Sequence, residues 1–229
     1  MSTLRPVAVV TNIEGTATPI GYVRGVLFPY ARARLADFVG RDDDDVRQAL
    51  AETARAVPGQ APLTTLLHWM DQDAKAAPLK TLQGLIWREG FADGTLASVL
   101  YPDVPACLQR WSQRGVRLYG YSSGSVEAQR LLFAHAPGGD LSGLFAAYFD
   151  TRIGRKSDPD SFSRLAIGIG VPTLEVAFLS DIEAELDAAT VAGMRTCQIL
   201  RADGDVTASD RHPVAADFVE AARLLDLAV

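Results

Sequence analysis

"VVTNIEGT", residues 9–16, decides how the rest of the chain is read. Val9, Val10 and Thr11 are β-branched and suit a buried strand, and the run then breaks into a loop carrying an amide, an acid, a glycine and a hydroxyl. Taken alone, that loop is a strand-to-helix connection, with Gly15 free to take a positive φ and Thr16 capping the next helix. Three further apolar runs resemble this strand: "VRLYGYS" at 116–122, "VAFLS" at 176–180 and "TCQIL" at 196–200. Separated by helical patterns, the four runs predict βαβ units and a parallel sheet. The first three run into "NIEGT", "SSGS" and "DIEAE". Ligands of open α/β sheets bind outside the carboxyl ends of the strands, so these clusters are expected to converge.

The chain has 229 residues, which suits one core domain with a smaller insertion. A net charge of -6 argues against the basic face of a nucleic-acid binder. Cys107 and Cys197 lie far apart with no CxxC or neighbouring-histidine pattern, so neither a disulfide framework nor a zinc site is indicated, and a reduced, cytoplasmic setting is expected. The apolar part of "MSTLRPVAVV" is too short for a signal peptide, and no stretch approaches the ~20 apolar residues of a membrane span. The expectation is a soluble monomer with no membrane partner.

Residues 19–105 show helical periodicity and no convincing strand. "DDDDVRQALAETARAV" sets acids ahead of an amphipathic run, while "PLTTLLHWMDQDAKAA" and "PLKTLQGLIWREGF" each open on a proline suited to a first turn, the latter stopping near Gly90. The expected architecture is α/β: a Rossmann-like core of residues 1–18 and 106–229 with an all-helical cap, 19–105, inserted after the first strand and lying above the strand ends.

Other residues have simpler readings. Met70 and Trp87 read as core, although His68, Trp69 and Met70 could line an apolar pocket. His135 and His212 read as surface or packing residues, and Asp42–Asp45 as a solvated helix start. "AIGIGV" lacks the strand context of a dinucleotide fingerprint.

The order of these motifs is that of the haloacid dehalogenase superfamily. "NIEGTATPIGYVRGVLFPYARARLADFV", "LKTLQGLIWREGF", "YSSGSVEAQRLLF", "LFAAYFDTRIGRKSDPDSF" and "FLSDIEAELDAATVAGM" together resemble the bacterial enolase-phosphatases of methionine salvage, over residues 7–201. The resemblance implies a phosphorylated diketone substrate, 2,3-diketo-5-methylthiopentyl-1-phosphate, which is enolised and dephosphorylated to acireductone with Mg²⁺ as cofactor. It implies the nucleophile position at Asn12 and the general acid/base at Glu14. Phosphate binding falls to Ser122, Ser123, Gly124 and the charge-neutralising Lys156. The metal falls to Asn12, Glu14 and Asp181, with Glu185 as an outer-shell acid.

Attack on a phosphomonoester dianion requires cations to spread the charge of the transition state. One carboxyl, Glu14, would protonate the leaving oxygen and then deprotonate the attacking water. The family's pattern is broken at Asn12, whose amide retains an oxygen but lacks the charge and nucleophilicity of the expected aspartate. Gly25 also stands where an acidic residue is expected. Two alternatives remain: a phosphate-ester-binding pseudoenzyme, or a general small-molecule phosphatase of the same superfamily.

Overall fold

The computed structural model describes residues 5–227. Met1–Leu4, where the N-terminal apolar run begins, and Ala228–Val229 lie outside the described residues. Six strands, β1 (Ala8–Thr11), β2 (Arg117–Tyr121), β3 (Phe145–Phe149), β4 (Val176–Ser180), β5 (Arg195–Ile199) and β6 (Val214–Ala215), form one sheet in the order β3-β2-β1-β4-β5-β6. Every pairing is parallel. β1 and β4 are buried along their whole length, as central strands covered on both faces must be. The chain leaves β1 for β2 on one side and reaches β4 on the other only later. The strand order therefore reverses at β1 and β4, and the crevice beyond their carboxyl ends is the natural ligand position. At that point Asn12 N donates to Leu179 O at 2.8 Å.

The expected parallel sheet is present, with two strands that the sequence reading does not contain. β3, "FAAYF", carries no β-branched residue and pairs with β2 through a register shift at Leu118/Tyr119, and β6 is only two residues long.

The chain divides into two compact units, Met1–Ile20 with Ser98–Val229, and Gly21–Ala97. Residues 98–105, placed with the cap in the sequence reading, belong to the larger unit. Tyr101 N donates to Ala17 O at 3.0 Å and Ser98 Oγ to Leu132 O at 2.6 Å. Among the described residues no helix is long and apolar enough to cross a membrane.

The smaller unit is helical. α1 (Ile20–Tyr22) passes through a π-helical turn, Val23–Leu27, into α2 (Phe28–Phe38), followed by α3 (Asp44–Ala56), α4 (Pro62–Asp71) and α5 (Ala77–Ala92). The acidic run starts a helix, as expected: Asp43 Oδ1 caps α3 by accepting from Asp45 N at 2.9 Å and Val46 N at 3.1 Å. Trp87 is core, its Nε1 donating to Leu27 O at 2.8 Å. Met70 is only half-buried and His68 is exposed, because the buried face of α4 is carried by Thr65 and Leu66. Gly90 lies against the Tyr30 ring, whose hydroxyl is fixed 2.8 Å from Thr95 Oγ1.

In the larger unit α6 (Asp103–Gln113), α7 (Val126–Ala134), α8 (Pro159–Ile169), α9 (Glu183–Val191) and α10 (Phe218–Leu224) surround the sheet. Phe162 of α8 packs edge-on against Tyr121 and Phe178, with ring centroids 5.5 Å and 4.9 Å apart. A buried ion pair ties loops together at the other end of the sheet order. Arg201, after β5, reaches Asp103 Oδ1 at 2.7 Å and Oδ2 at 3.1 Å, and donates to Thr16 O from Nε at 3.0 Å and Nη2 at 2.8 Å. Its guanidinium lies over the Tyr101 ring, 4.1 Å from the centroid.

These contacts generate two stability predictions. Gly→Ala inside a helix ordinarily stabilises, but a Cβ at position 90 would lie 2.5–2.8 Å from Tyr30 ring atoms and hydroxyl. Urea denaturation of Gly90→Ala should therefore show a loss of about 1–3 kcal/mol, the range for overpacking; a gain would contradict the packing described. Arg201→Met leaves the largely buried Asp103 carboxylate without a counter-charge, holding only its bond from Phe218 N, and should cost about 3–5 kcal/mol. Adding Asp103→Asn should recover a substantial part of that loss, whereas strictly additive losses would show that the pair is uncoupled.

Candidate active site

The exits of β1, β2, β3 and β4 each contribute to one polar cluster. Asn12 follows β1 and is 3 % exposed, so each of its polar atoms needs a partner inside the protein. Its Nδ2 donates to Glu14 O at 2.8 Å and Asp181 Oδ1 at 2.9 Å, with Thr16 Oγ1 at 3.3 Å. Its Oδ1 accepts from Lys156 Nζ at 2.6 Å. Lys156, on the loop after β3, also pairs with Glu185 Oε2 at 2.9 Å, and Ser180 Oγ holds the same carboxylate oxygen at 2.7 Å.

Gly15 shapes the loop in the way the sequence predicts. Its φ is +77°, and a Cβ there would collide with the Asp181 carboxylate. Thr16 acts differently from the expected cap: its hydroxyl donates to Asp181 Oδ1 at 3.0 Å and accepts from Asp181 N at 3.0 Å. Asp181 is thus fixed from both sides, and burial holds its carboxyl above the usual carboxylate range. Hydrogen bonds from Thr16, its own backbone and Asn12, with the charge of Lys156, pull the other way.

The second half of the cluster lies at the exit of β2. Ser122 is fully buried, and its Oγ lies 2.9 Å and 2.8 Å from the two carboxylate oxygens of Glu14, to which it donates. Gly124 N donates back to Ser122 Oγ at 2.8 Å. Ser123 is half-buried beside them. Glu14 therefore presents its carboxylate to Ser122 and its backbone oxygen to Asn12. Gln129, from α7, supports this loop by donating to Gly124 O at 3.3 Å and Phe149 O at 2.8 Å.

The acceptors around Asn12 Nδ2, namely a carboxylate, a carbonyl and a hydroxyl, are the oxygen set a hard cation such as Mg²⁺ prefers. At their centre, however, is an amide nitrogen whose hydrogens point at them. With asparagine at position 12 turning its hydrogens to these oxygens and its own oxygen to Lys156, the residues present do not fit a divalent cation. Cys107 and Cys197 play no part, since burial pushes their thiols up to about 11 and about 12. His135 is exposed, and His212 packs between Thr196 Oγ1 and Asp187 Oδ1, each 3.0 Å away.

Sequence reasoning missed Thr16, Gln129 and Arg201 as supports. Thr16 and Gln129 lie inside the quoted stretches, but Arg201 has no local signal because its partners are 98 and 185 positions away.

Residues 23–193 match a hydrolase family described as haloacid dehalogenase-like hydrolase. Enolase-phosphatase E1 of Granulibacter bethesdensis is 51 % identical over 225 residues, covering 97 % of each chain. That of Acidiphilium cryptum is 50 % identical over 226 residues, covering 98 % of this chain and 97 % of its own. In three dimensions the UTR4 protein of Saccharomyces cerevisiae superposes with a TM-score of 0.78 at 31 % identity, covering 93 % of this chain and 98 % of its own. CbbY of Rhodobacter sphaeroides, at 17 % identity and a TM-score of 0.63, shares the fold. Near-complete coverage by relatives of one name, on a parallel sheet with polar exits, makes this chain a member of the haloacid dehalogenase-like hydrolases and, within them, of the enolase-phosphatase E1 family.

Proposed function

We propose that this chain is an enolase-phosphatase of methionine salvage that retains the phosphate-binding and proton-transfer groups of the family but has lost covalent phosphoryl transfer at Asn12. The substrate class is a phosphorylated diketone carrying a methylthio group, and the helical unit is assigned the role of cap. The observation that carries the reading is the direct contact of Asn12 with both Lys156 and Asp181, beside the paired Glu14 and Ser122, in a chain about half identical to enolase-phosphatases.

Each residue has a role consistent with its surroundings. Ser122 Oγ and Gly124 N are donors that now face Glu14 and each other, and both can turn to phosphate oxygens. An ammonium has three N–H groups, and Asn12 and Glu185 use two of those on Lys156, so one remains for the ester. Glu14 is the carboxylate available to move a proton on the bound substrate, which enolisation requires. Phosphoryl transfer also needs an anionic nucleophile, and the Asn12 amide, polarised by Lys156 and tied through its nitrogen, cannot supply one. Because asparagine does not fit the family's Mg²⁺ here, no step is assigned to that ion in this chain.

Phosphate release from a panel of phosphomonoesters that includes the diketone phosphate, measured with Mg²⁺ present, tests the reading. Asn12→Asp should exceed the unaltered chain by on the order of 10⁴-fold or more, as expected for restoring a catalytic group, and should prefer the diketone ester. Equal rates would place the nucleophile elsewhere; an active but indiscriminate Asn12→Asp protein would favour a general phosphatase.

A further inference from the structure

We propose that the Asn12 amide group is a built-in substitute for the divalent cation, so that this chain takes up phosphate groups without metal. The proposal rests on the phosphate-ester reading above and specifies what stands where the family's cation is expected.

The contacts allow one orientation of the amide. As it stands, the NH₂ group faces Glu14 O, Asp181 Oδ1 and Thr16 Oγ1, and the carbonyl oxygen faces the Lys156 ammonium. Exchanging the two would set an oxygen against three oxygens and an NH₂ group against an ammonium 2.6 Å away. Amide orientation is set by the hydrogen-bond network, and the one-way partners, Glu14 O, Asp181 Oδ1 and Lys156 Nζ, give the same answer. The thin supply of water makes the choice firm, since Asn12 is 3 % and Lys156 9 % exposed.

A divalent cation entering beside Asp181 would need oxygen ligands, at about 2.0–2.1 Å for Mg²⁺. Asn12 can offer its oxygen only by turning. Turning breaks the Lys156 contact and leaves a donor facing a donor in a buried site. The amide also carries no charge to attract the ion. Both effects disfavour the cation, while the two amide hydrogens already serve Glu14 O and Asp181 Oδ1, the nearest acceptors it would otherwise meet.

The same substitution suits a phosphate dianion. An aspartate at position 12 would put another carboxylate beside Asp181 and next to the incoming anion, a repulsion that an added cation would have to offset. With Asn12 that charge is absent, leaving Asp181, Glu14 and Glu185 as the carboxylates around the site, and Lys156, Ser122 and the Gly124 amide remain as donors. Affinity for phosphate should therefore be independent of metal in this chain and dependent on it in Asn12→Asp.

Calorimetric titration of both proteins with Mg²⁺ alone, and with inorganic phosphate in the presence of either Mg²⁺ or EDTA, tests the proposal. For the unaltered chain the expectation is Mg²⁺ binding weaker than in Asn12→Asp by on the order of 100-fold or more, since even supporting residues of metal sites change affinity by 10–100-fold. Its phosphate affinity should be the same in Mg²⁺ and EDTA, whereas Asn12→Asp should lose most of its phosphate affinity in EDTA. The melting temperature of the unaltered chain should not move with Mg²⁺, a measurement that holds even if Asn12→Asp folds poorly without metal. Comparable Mg²⁺ affinity in the two proteins, a Mg²⁺-dependent melting temperature of the unaltered chain, or no metal-free phosphate binding by it would overturn the proposal. The expected binding pattern together with an Asn12→Asp protein that releases no phosphate from esters would support the amide's role while overturning the phosphatase reading.

Discussion

The side chain of Asn12 is the point on which the arrangement of the site depends. It is buried at the exit of the central strand, and its amide links the Lys156 ammonium on one side to the Asp181 carboxylate on the other. Each neighbour is in turn held by groups that leave it little freedom, Lys156 by Glu185 and Asp181 by Thr16. The amide sits where it does because β1 and β4 are parallel neighbours where the strand order reverses, which brings residues 12 and 181 together at their carboxyl ends. In a buried cluster of alternating charges and dipoles, a donor replaced by an acceptor changes the sign of several contacts at once. On the proposal made for this site, a substitution of one NH₂ for one oxygen alters both its chemistry and its ion preference.

Behind the cluster is a layer that contributes position. Arg201 grips the Thr16 carbonyl, and Thr16 in turn orients Asp181. Gln198 Nε2 holds the Asp181 carbonyl at 3.0 Å from the β5 side, and Gln129 holds the Ser122–Gly124 loop from α7. A buried ion pair such as Arg201–Asp103 is weak evidence for stability, because desolvation offsets much of its attraction. Its double grip on the Thr16 carbonyl has a more specific consequence: it anchors the end of the loop that begins at Asn12. Within this layer Gln129 Oε1 is buried with no hydrogen-bond partner among the described residues.

Much of this architecture was legible in the sequence, for identifiable reasons. β1 and β4 are buried on both faces and therefore appear as unbroken apolar runs, and their polar exits mark the crevice. β3 was not legible, because a half-exposed, alanine-containing strand next to a register shift has neither the β-branched run nor a clean alternation. Asn12, Glu14, Ser122, Lys156 and Asp181 were visible as types of residue at strand exits. Which atom faces which was not: Glu14 gives its carboxylate to Ser122 and its carbonyl to Asn12, a division that spacing alone cannot express. Met70 was misplaced because helical spacing identifies a stripe without saying how much of it is covered. Arg201 escaped notice because its role depends on contacts across almost the whole length of the chain.

On the proposal made for this site, the Asn12 amide is a fixed, hydrogen-bonded element standing where the family's cation is expected. The most direct test is to observe its nitrogen by NMR in ¹⁵N-labelled protein, assigning the signal by its loss in Asn12→Asp. The account predicts two well-separated Nδ2 proton resonances, slow to exchange with solvent and unmoved by saturating Mg²⁺. A single averaged or rapidly exchanging signal, or one that shifts as Mg²⁺ is added, would contradict it.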